Sequence, residues 1–235
     1  MIKTYKIADL KLNIDASSIT ARNGKKYEVE FDPNATELKF SPEAAERFIS
    51  AHPTAEIDDW DYFLHGAKFS SLLLENDGFV LHASAIALDG QAFLFSANSG
   101  VGKSTHTELW KKVFDGVVHI NDDKPAIRLK NGLFYVYGTP WSGKSTLNSN
   151  VCVPLKAICF IERAKANSIR KLTPFEALPR LLEQTMRKSG EAKTARLLEL
   201  LDVLLATTPI FLLSCLPDEE AAILAHNTMS KKPEG

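Results

Sequence analysis

The stretch "QAFLFSANSGVGKSTHTELWKKVF", residues 91–114, constrains the fold more than any other part of the chain. An apolar alternation runs into a glycine-rich loop, and the loop opens an amphipathic helical pattern. Leu109, Trp110, Val113 and Phe114 fall on one helical face. A strand feeding a helix in this way belongs to sheets covered by helices, so the expected class is α/β with a mixed sheet.

Within this stretch Gly102-Lys103-Ser104-Thr105 spells GKST, and the same letters return at Gly143-Lys144-Ser145-Thr146. A phosphate-binding loop reads G-x-x-x-x-G-K-[ST]. Only the second copy fits letter for letter, from Gly138 to Ser145, because Ala97 stands where the first copy should begin with glycine. The mechanism favours the first copy. Such a loop needs a strand leading in, a helix leading out, and consecutive backbone N–H groups turned toward phosphate. The loop Asn98–Thr105 meets these needs, with N–H donors on Ser99, Gly100, Val101, Gly102 and Lys103. Lys103 would reach the β- and γ-phosphates of ATP, and Ser104 would face Mg²⁺. Ala97 costs little where φ is negative. In the second copy Pro140 removes a donor and Trp141 is bulky where backbone must approach phosphate. The following "STLNSNVCVP" does not read as a helix.

A metal beside phosphate needs carboxylate. "HINDDKP" ends an apolar strand in Asp122 and Asp123. One acid can hold Mg²⁺, and the other can take the proton from an attacking hydroxyl. His82 lies in "FVLHASAIAL", where strand alternation sets it on one face with Val80, Ser84 and Ile86. His119 has a similar setting, and His52, His65, His106 and His226 have no constellation around them.

Elsewhere the pattern predicts two opening strands, one with Leu10, Leu12 and Ile14 and one with Tyr27, Val29 and Phe31, joined by a turn at "RNGKK". Ser41-Pro42 starts one helix, and Trp60, Phe63, Leu64 and Ala67 form the apolar face of the next. Residues 1–75 thus read as a small α+β appendage, and 76–230 as the nucleotide-binding domain. The boundary at Asn76-Asp77-Gly78 is a turn, so one compact unit is the alternative. "FVLHASAIAL" reads as one strand turned at Asp89-Gly90, and Asn131-Gly132 marks a second hairpin. "KAICFIE" and "PIFLLSC" read as strands, Thr173 opens a capping box, and the tail "SKKPEG" reads as disordered.

Composition excludes several classes. The net charge of −1 gives no basic stripe for nucleic acid. No apolar run is long enough for a bilayer, and "MIKTYKIADLKLNID" is unlike a signal peptide, so no membrane partner and a cytoplasmic location are expected. Three cysteines without a C-x-x-C pair argue against a disulfide framework, and Cys159 and Cys215 read as core.

With "LHAS", "ANSGVGKS" and "NDD" in this order, the chain resembles the catalytic domain of HPr kinase/phosphorylase and, more distantly, ATP-dependent phosphoenolpyruvate carboxykinase. The resemblance covers roughly residues 78–163. It implies a P-loop kinase using ATP and Mg²⁺, with Lys103 and Ser104 on phosphate and metal, Asp122 as metal ligand and Asp123 as base. It also places His82 near the metal and acids. The N-terminal domain of bifunctional HPr kinases has no counterpart in residues 1–75, and the E-x-R-G-L-G-I signature is absent. The resemblance therefore does not extend to HPr as substrate or to phosphorolysis. It is better to a smaller bacterial HPr kinase-like group, part of which resembles kinases of serine on modified peptides, including lasso peptides. In that setting the second GKST occupies the place of a substrate-facing loop. Lys144 could steady the transferring phosphoryl group, Trp141 could pack on substrate or in the core, and Arg163 could reach the γ-phosphate. The expected acceptor is a Ser or Thr hydroxyl of a peptide or protein. A small metabolite alcohol, or a regulatory module that binds ATP without transfer, are the alternatives. HPr kinases are oligomers, so the resemblance implies a homo-oligomer.

Overall fold

The computed structural model describes residues 1–185 and 190–231. Its centre is a nine-stranded mixed sheet organised around one long strand. In chain order its strands are β5 (Gly78–Val80), β6 (Ala83–Leu88), β7 (Gln91–Ser96), β8 (Val118–Asn121), β9 (Ala126–Lys130), β10 (Leu133–Tyr137), β11 (Cys152–Arg163), β12 (Ser168–Lys171) and β13 (Ile210–Cys215). They run in the order β5-β9-β10-β11-β7-β6-β8, and β13 pairs with both β11 and β12. β11 is parallel to β7 and β13 but antiparallel to β10.

The centre is buried on both faces, which explains the unbroken apolar runs there. Side chains nevertheless alternate. Leu94, Ile158, Phe160 and Leu212 face a core closed by α5 (Pro174–Gln184) and α6 (Glu191–Thr207). Phe93, Phe95, Cys159, Ile161 and Leu213 face the opposite core, closed by α4 (Lys103–Val113) and α7 (Glu219–Met229). Thr173 forms the expected capping box, with Glu176 answering from the third helical position. The hairpin at Asp89-Gly90 joins β6 to β7, and that at Asn131-Gly132 joins β9 to β10. Cys159 and Cys215 are buried and free.

A smaller sheet, β3-β1-β2-β4, is built by β1 (Lys3–Ile7), β2 (Leu10–Ile14), β3 (Glu28–Val29) and β4 (Thr36–Glu37). With it stand α1 (Ser18–Gly24), α2 (Pro42–Ala51) and α3 (Ile57–Leu74). Ser41 caps α2 through the Ala44 N–H. A third core joins Tyr5, Leu12 and Phe69 to Ala126, Tyr137 and Trp141.

The structure corrects several local expectations. "RNGKK" is not a turn between strands but the end of α1 and a following 3-10 turn. The opening hairpin is instead β1–β2, turned at Ala8-Asp9 with both φ values positive. That turn lacks glycine, and contacts distant in sequence hold it. Asp9 accepts from Lys130 and Tyr137, and Arg128 donates to the Ala8 carbonyl. "FVLHASAIAL" is broken at Leu81-His82 into β5 and β6. The buried face of α3 is Tyr62, His65, Phe69 and Leu73, whereas Phe63 is exposed and Trp60, Leu64 and Ala67 are half-buried. β12 carried no recognisable signal. The tail expectation holds only Ser230 and Lys231 within the described residues, and 232–235 lie outside them. Among the described residues no helix is long and apolar enough to cross a membrane.

Candidate functional site

The loop that leaves β7 and enters α4 stands at the C-terminal edge of the parallel strands, the general place for ligands in α/β sheets. Gly100 and Gly102 have φ of +79° and +129°, a region that side chains rarely adopt, and a Cβ on either would meet open space. Asn98, Ser99 and Gly100 are exposed, as are Ser104 and Thr105, while Val101 and Gly102 are half-buried. Lys103 is buried and folds back, its Nζ donating to the Ala97 carbonyl at 2.9 Å. Burial lowers the Lys103 pKa, and Lys124 lowers it further, against the pull of Asp123 and Asp122. Arg163, from the end of β11, donates to the carbonyls of Val101 (3.1 Å) and Gly100 (2.5 Å). It thus braces the outer side of the loop.

β8 brings the acid pair to the loop. Ser104 Oγ donates to Asp122 Oδ2 at 3.0 Å, and Ser84 Oγ donates to Oδ1 at 2.7 Å. Ser84 is itself 2.9 Å from the Thr107 hydroxyl on α4. The turn after β8 is set by Asn121, which is fully buried. Its Oδ1 accepts from the backbone N–H groups of Asp123 and Lys124, and its Nδ2 donates to Thr139. That local side-chain bond explains why asparagine precedes the two acids.

Asp123 faces away from Ser104 and toward a second group of residues. Both its oxygens accept from Lys124 Nζ at 2.9 Å, and His82 Nε2 lies 3.3 Å from Oδ1. The break in "FVLHASAIAL" puts His82 here: its backbone N–H donates to the Gln184 carbonyl, outside the β6 ladder. Gln184, at the end of α5, continues the chain of contacts. Its Nε2 donates to Asn98 Oδ1 at 2.6 Å, and its Oε1 accepts from His82 Nδ1 at 2.8 Å. The His82 proton is therefore on Nδ1, and Nε2 is the nitrogen that looks at Asp123. Burial holds the His82 pKa below its ordinary value, and the charges of Lys124 and Lys103 lower it further, with Asp123 opposing.

The second GKST is on a turn, and no helix follows Ser145. Its letters have packing reasons. A Cβ on Gly138 would lie 1.8 Å from the Ser149 carbonyl oxygen, and one on Gly143 would lie 3.0 Å from Asp123 Cβ. Trp141 is in the core, stacked on Phe69 with ring centres 4.8 Å apart, its Nε1 donating to the Tyr62 carbonyl. Lys144 is exposed, and it has no hydrogen bond or ion pair among the described residues.

The structure thus gathers His82, the Asn98–Thr105 loop, Asp122 and Asp123 in one place, with Gly143 against it and Arg163 behind it. Sequence reasoning missed Ser84, Asn121, Lys124 and Gln184. Only Asn121 and Lys124, adjoining the acid pair, carried a signal that could have found them. Among the described residues no group of three or more His, Cys, Asp or Glu side chains is arranged to hold a metal ion by itself. The hard oxygen donors of Ser104 and Asp122 do suit a magnesium ion that takes its remaining ligands from phosphate and water.

A cleft of about 480 Å³ opens beside the loop, between Asn98–Val101, Phe160 and Arg180 of α5. The Arg180 guanidinium lies 6.0 Å from the centre of the Phe160 ring.

A family model described as "SynChlorMet cassette protein ScmC" matches residues 69–193, more than half of the chain and the whole of the site just described. No curated protein matches. Among solved structures, the Hpr(Ser) kinase/phosphatase from Coxiella burnetii is similar over 63% of this chain and 95% of that one. The identity is 12% and the TM-score 0.39, a distant likeness.

Proposed function

The chain belongs to the family of the SynChlorMet cassette protein ScmC, and on that premise we propose that it is a phosphotransferase, moving the γ-phosphate of ATP to a hydroxyl with the help of Mg²⁺. The acceptor is a Ser or Thr side chain of a peptide or protein. One observation carries this reading. Ser104, in the first turn of α4, meets the acid that follows β8, Asp122, at 3.0 Å, with Lys103 buried beside them.

The N–H groups of Ser99–Lys103 and the N-terminus of α4 would receive the phosphates, and Lys103 would leave the Ala97 carbonyl for them. Such positioning and charge neutralisation supply most of the catalysis in phosphoryl transfer. Ser104 and Asp122 are the side chains that would hold Mg²⁺, whose contribution is to offset negative charge on the phosphates. The cleft along Phe160 and Arg180 would take the rest of the nucleotide.

Asp123 would accept the proton of the acceptor hydroxyl. It is paired with Lys124, so one of its oxygens must be released as the acceptor arrives. His82 Nε2 stands ready to share the proton, held in its tautomer by Gln184. Lys144, on the turn above Asp123, would approach the transferring group only with substrate bound.

The test is transfer of labelled γ-phosphate from ATP, with Mg²⁺, into an extract of the source organism. Label on a polypeptide, lost in Lys103→Ala and reduced at least about a hundredfold in Asp123→Asn, is the expected result. Label confined to small solutes would make the protein a metabolite kinase. ATP binding without any transfer would make it a regulatory module.

A further inference from the structure

The exposed side of α3 departs from the rule that an apolar helical stripe is buried. Trp60, Phe63, Leu64 and Ala67 recur at helical spacing as an apolar stripe, yet Phe63 is 57% exposed and the other three are half-buried. Such departures concentrate at functional surfaces.

Two depressions meet on this side. One is an apolar notch between Tyr62, Phe63, Gly66 and Trp141, whose far wall is Asp123 and Lys124 of the candidate site. Its volume of about 40 Å³ holds the tip of an apolar side chain and is far too small for a nucleotide. The other is a cleft of about 500 Å³ between α2, α3 and the start of α6, with Lys39, Arg47, Lys68 and Lys193 along it. Ala67 lines both.

The charges in the cleft are not balanced. Lys39 pairs with Glu37, and Lys193 reaches Ser71 and lies 3.9 Å from Glu75. Arg47 and Lys68 are exposed and make no ion pair or side-chain hydrogen bond among the described residues. Arg47 interacts with the charge of Glu43, one turn earlier on α2, but no carboxylate lines the cleft itself, and a cleft lined by four cations and no acid complements an anionic partner. From Tyr62 to Ser71 the helix advances about 14 Å, the length of about four extended residues.

We infer that the groove along α3 is the docking surface for an acidic polypeptide segment that delivers the acceptor hydroxyl to Asp123. This rests on the phosphotransferase reading and adds to it the chemistry of the acceptor. An apolar side chain next to the hydroxyl enters the Tyr62–Trp141 notch. Carboxylates about three to five residues away lie against Arg47 and Lys68. No small metabolite alcohol would need a groove of this length.

The experiment uses the full chain and two pools of fluorescent twelve-residue peptides. Each has a central serine and a neighbouring aromatic residue. One pool carries Glu and Asp at the remaining positions, and the other carries Gln and Asn. Anisotropy is expected to give the acidic pool at least tenfold tighter binding, weakening as salt rises. R47Q/K68Q should lose part of that preference and R47E/K68E nearly all of it. Both substituted residues are exposed, so circular dichroism and the binding of a fluorescent ATP analogue should stay as in the parent chain. Equal affinity for the two pools, or a preference untouched by R47E/K68E, would overturn the inference. So would a change of oligomeric state in R47E/K68E, by sedimentation, without a change in peptide binding, since the surface would then belong to a second copy of the chain. Failure of the phosphotransferase reading shows separately, as an acidic preference that persists with no phosphate transferred to either pool.

Discussion

Gln184 and His82 are 102 residues apart in the chain and meet at 2.8 Å, Gln184 Oε1 accepting from His82 Nδ1. The same amide donates to Asn98 at the start of the loop, so one buried side chain ties the end of α5 to both halves of the site. Replacing it with alanine would leave the half-buried His82 Nδ1 without its partner, at a cost of about 1–3 kcal/mol, whereas water can take the place of the amide at the exposed Asn98. Gln184→Ala is expected to lower the unfolding free energy by that amount, read from the shift of the urea midpoint. It should also reduce kcat more than KM for ATP, because the imidazole loses its fixed orientation. Gln184→Glu should restore stability in part, since a carboxylate still accepts from Nδ1, and should raise the His82 pKa by adding negative charge.

The electrostatics around His82 have a sign that can be checked. Burial and two lysines all oppose the protonated ring, and only Asp123 and the Gln184 bond favour it. The ring is therefore neutral at pH 7 and titrates below its ordinary value. Removing Lys124 takes away a cation and also uncovers the charge of Asp123, and both changes raise the His82 pKa. Proton NMR of the histidine resonances should place His82 below 6.5 in the parent chain. The value should be higher in Lys124→Met. A value above 6.5 in the parent chain would mean that Asp123 dominates the pair.

The second GKST separates packing from chemistry within one motif. Gly138→Ala would drive a methyl group into the Ser149 carbonyl and the Tyr27 hydroxyl, neither of which is on a freely moving chain end. A loss of more than about 3 kcal/mol in stability is expected, by the overpacking that tight cores do not absorb. Lys144→Ala, six residues later and exposed, should stay within about 0.5 kcal/mol of the parent. Thermal unfolding of the two variants side by side reads both effects.

Much of the central sheet was legible because its signals are local. Leu94 and Phe95 alternate, Asp89-Gly90 and Asn131-Gly132 adopt the turn conformations their residue types favour, and Thr173 caps its helix through a bond three residues away. The loop at Asn98–Thr105 and the acids at 122 and 123 were legible for the same reason. What failed was long-range. The Ala8-Asp9 turn is held by residues on β9 and β10, and the strand around His82 breaks where Gln184 and Thr185 pair with it. The face of α3 was misread because apolar spacing marks an amphipathic stripe, not what covers it. Tyr62 and His65, with polar atoms of their own, were buried in place of Phe63 and Leu64.

The most direct test is the equilibrium binding of a fluorescent ATP analogue, with Mg²⁺, to the parent chain, to Lys103→Ala and to Lys144→Ala. The account predicts at least tenfold weaker binding for Lys103→Ala, and for Lys144→Ala an affinity close to that of the parent. Weak binding by Lys144→Ala with Lys103→Ala unaffected would contradict it, and would move the phosphate site to the second GKST.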